Sequence, residues 1–188
     1  MPGKFVKLFV TSIIIIFFTS ITITSHEYLI EEPKKPVEVL DDLYKAIVTE
    51  ELNEAREKVR MLDDLYKTFI VLITGEYVKN PSVLAAATLS KRVFRVMGNK
   101  GWHKARLLDA TGNPFNPDNN PKDEFERDAI KALISGKSYF ERVEKVEGKE
   151  YLRAATSVSA VMVGCISCHP DRKIGDLLGA ISYSIPME

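Results

Sequence analysis

The sequence predicts an α+β domain built on a small antiparallel sheet. Three observations carry that expectation: an apolar rhythm of helical period from Val37 to Val78, two β-rich runs joined at Glu147-Gly148-Lys149, and an element order that keeps helices and strands in separate groups. The elements are taken here in chain order.

At the amino terminus Lys4 and Lys7 precede an uncharged apolar run, Leu8 to Ile23, dominated by Ile13-Ile14-Ile15-Ile16-Phe17-Phe18. This is the pattern of a secretory signal or a membrane anchor over residues 1–25, the basic flank staying in the cytoplasm and the rest being exported to the periplasmic side. Its sixteen residues span roughly 24 Å as a helix, somewhat under a hydrocarbon core of about 30 Å. Ile23 and Ser25 also suit cleavage before His26, so the segment is read as an anchor slightly ahead of a cleaved signal. Residues 26–36 then read as a linker, with Glu31-Glu32-Pro33-Lys34-Lys35-Pro36 as a short stiff spacer.

From 37 to 79 one long helix is expected. Apolar residues recur at spacings of three and four, through Leu40, Leu43, Tyr44, Ile47, Ala55, Val59, Leu62, Leu65, Tyr66, Phe69, Leu72 and Ile73. The hexapeptide Leu-Asp-Asp-Leu-Tyr-Lys occurs at 40–45 and again at 62–67, and an offset of 22 residues is two eleven-residue units, so both copies face the same way. A continuous helix would be roughly 60 Å long, which makes its membrane-near half a candidate stalk or homodimer helix. The competing reading is two shorter helices folded around the polar stretch Glu50 to Lys58.

Residues 80–188 are expected to form the domain proper. Asn80-Pro81 ends the long helix and places Pro81 in the first turn of the next, Val83 to Met97, which Gly98-Asn99 closes. Trp102 to Asp109 reads as a strand. The stretch Thr111 to Pro121 holds three prolines and four asparagines, which excludes regular structure. Lys122 to Ser135 has Phe125, Ala129, Ile130 and Leu133 on one side and Gly136 as its stop, a helix. Tyr139 to Val146 and Tyr151 to Val161 form a hairpin, and Leu177 to Ile185 a last strand.

Among these elements one pentapeptide names a chemistry. Cys165-Ile166-Ser167-Cys168-His169 is the C-x-x-C-H pattern of covalent haem c attachment, two thiols for thioether bonds and an imidazole for the iron. A thioredoxin-like pair would follow a strand in a βαβ unit, which is not evident here. Zinc would need four N or S ligands, and the chain has two cysteines and three histidines, His26, His103 and His169. A disulfide across two residues would be strained. Covalent haem attachment takes place outside the cytoplasm, so the two ends of the sequence support one another.

Length and charge narrow the class further. Without its first thirty residues the chain keeps about 158, enough for one domain with a core and one buried cofactor. Lys plus Arg equals Asp plus Glu at 26 each, and no basic stripe with interleaved aromatics is present, which argues against nucleic acid as a partner. No acid/base pair stands beside the motif, so the chain is not expected to be an enzyme. Arg153, Arg172 and Lys173 are candidates for haem propionates.

The ordered set of Gly101-Trp102, Asn113-Pro114-Phe115-Asn116 running to Pro121 and Asp123-Glu124-Phe125-Glu126, Cys165 to His169, Gly175 to Ser182 and Ser184-Ile185-Pro186 resembles a known family. These are the c-type haem proteins of PAS-like fold found in cyanobacteria and other bacteria, free-standing or as sensor domains of histidine kinases and chemoreceptors. The resemblance covers about Leu65 to Pro186. It implies a small antiparallel sheet flanked by helices, Cys165 and Cys168 as thioether anchors and His169 as proximal ligand. In the cyanobacterial member a cysteine on the helix corresponding to Pro81–Met97 binds the opposite face of the iron. That position falls here on Ala85, Ala86 or Ala87, none of which ligates. Either the distal position is vacant beside the alanines, or Met97, His103 or Met162 takes it; the competing readings are core filler for the methionines and a solvent-facing strand position for His103.

The distal side separates the functional readings. A vacant position suits a sensor of redox state or of a small gas such as NO or CO. A sixth protein ligand suits a small electron-transfer cytochrome with a redox partner protein. A chain ending at Glu188 is expected to signal through a partner or through the stalk.

Overall fold

The computed structural model describes residues 35–81 and 84–187. The apolar run Leu8 to Ile23, and the spacer as far as Lys34, lie outside the described residues. Among the described residues no helix is long and apolar enough to cross a membrane.

Helix α1 runs without interruption over Pro36–Lys79, 44 residues and about 66 Å, so the two-helix alternative is overturned. Glu50 to Lys58 stays helical because Ala55 and Val59 are buried there, and tertiary packing outweighs the weak local preferences of a polar stretch. The C-terminal half of α1 is part of the domain core. Pro36–Glu188 is one compact unit.

The other elements are α2 (Ala86–Asn99), β1 (Lys104–Asp109), a single 3-10 turn (Pro117–Asn119), α3 (Glu124–Ile134), β2 (Tyr139–Val146), β3 (Lys149–Ser159), α4 (Val163–Cys168) and β4 (Leu177–Pro186). α2 starts at Ala86, three residues later than the apolar pattern, so Pro81 lies outside its first turn. The strand expected from Trp102 begins at Lys104, with Trp102 exposed. β3 begins directly after Glu147-Gly148, whose φ values of 51° and 82° are the paired left-handed conformation of a two-residue hairpin turn. A three-residue connection had been expected. α4 had not been foreseen at all.

The sheet order is β1-β4-β3-β2, and every neighbouring pair is antiparallel. Alternation along the strands makes two cores. On one face α1 and α2 cover Leu152, Ala154, Ile181, Tyr183 and Ile185, with Val59, Leu62, Tyr66 and Phe94 inserted from the helices. On the other, α3 sets Phe125, Ala129, Ile130 and Leu133 against Leu108, Ala155 and Ala180. Helix, sheet, helix is the layering of an α+β domain, and a first strand beside the last makes it PAS-like.

Two local devices fix this arrangement. Asp123 caps α3 by accepting from the Glu126 N–H at 2.8 Å, and Glu126 reaches back to the Lys122 N–H at 2.7 Å, a reciprocal cap. Gly179, between β1 and β3, meets the Leu108 carbonyl so closely that a Cβ there would lie 2.1 Å from its oxygen. Only glycine permits that strand approach.

Candidate functional site

The pentapeptide 165–169 sits on a loop between β3 and β4 that is pinched at its base. Gly175 N–H donates to the Ala160 carbonyl at 2.8 Å and Ala160 N–H to that of Asp176 at 2.9 Å. Within this closure Val163–Cys168 forms the short helix α4. Cys165 and Cys168, three positions apart, therefore lie on one side of it, Cys165 half-buried and Cys168 exposed, both as free thiols. His169 N–H still donates to the Cys165 carbonyl at 3.0 Å, but its φ and ψ of −124° and 70° leave the helix. The ring meets Phe115 edge-on at a centroid distance of 6.0 Å. Phe115, 84 % exposed and in the Asn/Pro loop, has no other ring contact among the described residues.

α4 rests on the end of α1. Gly164 makes that seat possible, since a Cβ there would stand 3.2 Å from Thr74 Cγ2 and from Met162 Cε and 3.4 Å from Val78 Cγ2. Ile70, one turn before Thr74 on α1, is partly buried against the α1/α2 core, as are Val93 of α2, Leu107 of β1 and Val158 of β3. Val161, Val163 and Ile174 stand exposed around the motif itself. Exposed apolar side chains next to two thiols and an imidazole fit a flat apolar prosthetic group attached through sulfur.

The remaining predicted residues are placed as follows. Ala85 is half-buried, Ala86 buried and Ala87 exposed, and none of the three carries a donor atom. Met97 is half-buried near the end of α2. Met162, also half-buried, directs its Cε toward Gly75 of α1 and Gly164. His103 is the clear correction. It is 5 % exposed rather than solvent-facing, and its Nε2 is 2.7 Å from the Tyr66 hydroxyl. Burial holds its pKa below the ordinary histidine value, and burial raises that of Tyr66. With Nε2 engaged, His103 acts first as the polar partner of a core tyrosine.

Arg153 is corrected as well. It projects from the opposite face of the sheet, over the Phe125 ring, with Asp123 at 2.9 Å and Glu144 at 3.1 Å, so its charge is spent away from the motif. Arg172 lies on the motif loop, half-buried against Asp171 at 3.1 Å, and Lys173 is exposed.

Sequence reasoning missed Asp63, the most connected polar residue on this face. Its carboxylate accepts from Thr156 at 2.5 Å and Tyr183 at 3.0 Å and pairs with Lys67 at 2.7 Å, tying α1 to β3 and β4 one turn before Tyr66. The only signal for it was a charge set between the apolar positions of the second hexapeptide, and the same charge recurs in the first.

No curated protein matches the sequence. Among solved structures, the crystal structure of the cyanobacterial heme-protein Tll0287 matches with a TM-score of 0.55 at 13 % identity, over 72 % of this chain and 96 % of that one. At that identity the likeness speaks for the fold. The family model Tll0287-like matches residues 42–186, from the exposed part of α1 to the end of β4. Covering well over half of the sequence, that match shows that the chain belongs to the Tll0287-like family.

Proposed function

We propose that this chain carries one haem c, bound covalently through Cys165 and Cys168 with His169 as iron ligand, and that it works on the exported side of the membrane as a sensor of redox state or of a small gas. The observation that carries this reading is the pairing of two same-side thiols and a following imidazole with the exposed apolar side chains of Val161, Val163 and Ile174, which flank them in the chain. The likeness in fold to the cyanobacterial heme-protein Tll0287 supports it.

When bound, haem supplies an iron that changes oxidation state and takes diatomic ligands at a vacant position. The chain's own part is to hold and to exclude. The pinched loop and the Gly164 seat fix the two sulfurs, and Phe115 meets the His169 ring edge-on. Ala85, Ala86 and Ala87 carry no donor atom at the start of α2. The reduced holoprotein is therefore expected to bind CO or NO with a clear shift of its visible spectrum. A six-coordinate low-spin spectrum unchanged by gas would instead make it an electron carrier, with Met97 or Met162 as the sixth ligand to test by substitution.

Self-association through α1 is the second part of the proposal. Where the second hexapeptide buries Leu62 and Tyr66 on the sheet, the first leaves Leu40 and Tyr44 at 67 % and 64 % exposure. With Val37 and Ile47, also exposed, they follow a three-four-three spacing, the seam of a two-stranded coiled coil. Sedimentation of the full chain in detergent is expected to give a dimer that Leu40→Glu with Tyr44→Glu converts to monomer. A wild-type monomer at high concentration refutes this part.

A further inference from the structure

The seam of Val37, Leu40, Tyr44 and Ile47 does not end where α1 meets the sheet. Continued at the same alternation of three and four, it passes Glu51, Glu54 and Lys58, reaches Met61 and Leu65 and, with Thr68 between, Leu72. Met61, Leu65 and Leu72 stand exposed, although Leu62 and Tyr66 beside them are buried in the core. Isolated apolar side chains on a surface need no explanation. These share one register with four others on a single helix, and a stripe of that length calls for a partner.

The stripe has a definite place on the domain. Arg56 leaves α1 toward the β2 edge of the sheet, where its guanidinium pairs with Glu141 at 2.5 Å. Leu65 lies about two and a half turns further on and therefore on the opposite side of the helix, toward β1 and α2. That neighbourhood is basic. Residues 80–108 hold Lys91, Arg92, Arg95, Lys100, Lys104 and Arg106 and not one Asp or Glu. Arg106 is spent on Glu126 and the Lys91 Nζ is buried, but Arg92, Arg95, Lys100 and Lys104 are exposed. The amino-terminal half of α1 carries the reverse sign: over residues 36–54, Glu38, Asp41, Asp42, Glu50, Glu51 and Glu54 stand against Lys45 alone.

Two helices can meet along this seam in two directions, and the charges choose between them. In a parallel pair each position meets itself, so Glu51, Glu54 and Lys58 all face their own charge and the acidic halves lie side by side. In an antiparallel pair centred on Arg56, Leu40 meets Leu72, Ile47 meets Leu65 and Glu54 meets Lys58, each contact occurring twice about the twofold axis. The acidic half of one copy then runs beside the basic α2 of the other. Like-charge pairs at the rim, Glu57 with its own copy and Glu50 with Asp64, are exposed and cost less in water than the same repulsion inside the seam.

We infer that the partner along α1 is a second copy of this chain in antiparallel orientation, its acidic half seated against α2 and the stripe at Met61, Leu65 and Leu72. The inference rests on the self-association proposed above and adds its direction. Both hexapeptides then find apolar cover, the second on its own sheet and the first on the second copy, beside the end of α1 that carries the Gly164 seat. The amino-terminal ends of the two helices lie roughly 60 Å apart, which sets tethered chains along the membrane rather than upright on it.

Sedimentation of the full chain in detergent at low ionic strength tests the direction by charge reversal. Glu54→Lys is expected to weaken the dimer about tenfold, because it turns two attractive layers into repulsive ones, and adding Lys58→Glu is expected to restore it. Arg92→Glu with Arg95→Glu is expected to weaken it as well, and both effects fade at high salt. All four side chains are exposed, so the substitutions leave the core untouched, which a thermal melt checks. In a parallel dimer Glu54→Lys only exchanges one like-charge layer for another. Failure of either reversal to weaken the dimer overturns the antiparallel arrangement and leaves self-association standing. A wild-type monomer, as when residues 1–34 of the same chain cover the stripe, overturns both.

Discussion

Replacing Cys165 and Cys168 together by serine is expected to abolish covalent haem, so that intact-mass spectrometry of protein matured with the cytochrome assembly machinery gives the bare polypeptide where the parent carries one added porphyrin. The single variants are expected to fall between, each keeping one thioether at lower yield, because the two thiols sit on the same side of α4 and each can react alone. His169→Ala should retain the mass but change the visible spectrum, since it removes an iron ligand and no sulfur. The exposed apolar side chains of Val161, Val163 and Ile174 predict a second readout, because a group that covers them stabilises the folded state. A covalent group stays on the unfolded chain as well, so it stabilises only through the apolar surface it covers in the folded state, and on the order of 160 Å² removed from water contributes about 4 kcal/mol. For a domain of this size that is a fall of roughly 10 °C in Tm for the haem-free double variant. Unmodified mass in the parent, or equal melting of parent and double variant, refutes the attachment reading.

How much of this was legible beforehand follows from the range of each signal. α1, the Glu147-Gly148 hairpin and the pentapeptide 165–169 declare themselves within a few residues, through helical period, turn chemistry and spacing. α4 does not, because six residues give no period to read. Arg153 and His103 were misplaced for another reason: which sheet face a strand residue takes, and which helix covers it, depends on partners far away in sequence. The Tyr66 to His103 contact spans 37 positions. The two identical hexapeptides make the same point within one helix. Asp41 is exposed and, among the described residues, meets Lys45 at 2.7 Å, whereas Asp63, with the same neighbours in sequence, gathers Thr156 and Tyr183 as well as Lys67. The sheet makes the difference, and no local pattern records it.

That contrast supplies an internal control for the largest stability effect expected here. Asp63→Ala should destabilise the protein by about 2–4 kcal/mol, because the buried hydroxyls of Thr156 and Tyr183 lose their carboxylate acceptor and keep only each other as partners, and the charge-assisted component is lost as well. Both donors are well inside, Tyr183 at 1 % and Thr156 at 5 % exposure. Burial first, and then the negative charge of Asp63, hold the Tyr183 phenol far above its ordinary pKa, so it remains a donor throughout the accessible pH range. Asp41→Ala, by contrast, removes one exposed i,i+4 pair and is expected to change stability by no more than about 0.5 kcal/mol. Adding Thr156→Val and Tyr183→Phe to Asp63→Ala should recover part of the loss, since removing the two hydroxyls removes the penalty for their lost acceptor. Urea midpoints measured at pH 7 for the four proteins separate these terms, and an Asp63→Ala effect below 1 kcal/mol would mean that the network holds nothing. The consequence reaches the site through α1. Asp63 anchors that helix to β3 and β4 about three turns before Thr74 and Val78, on which Gly164 sits, so loosening the anchor is expected to lower the yield of haem attachment even where every residue of the pentapeptide is intact.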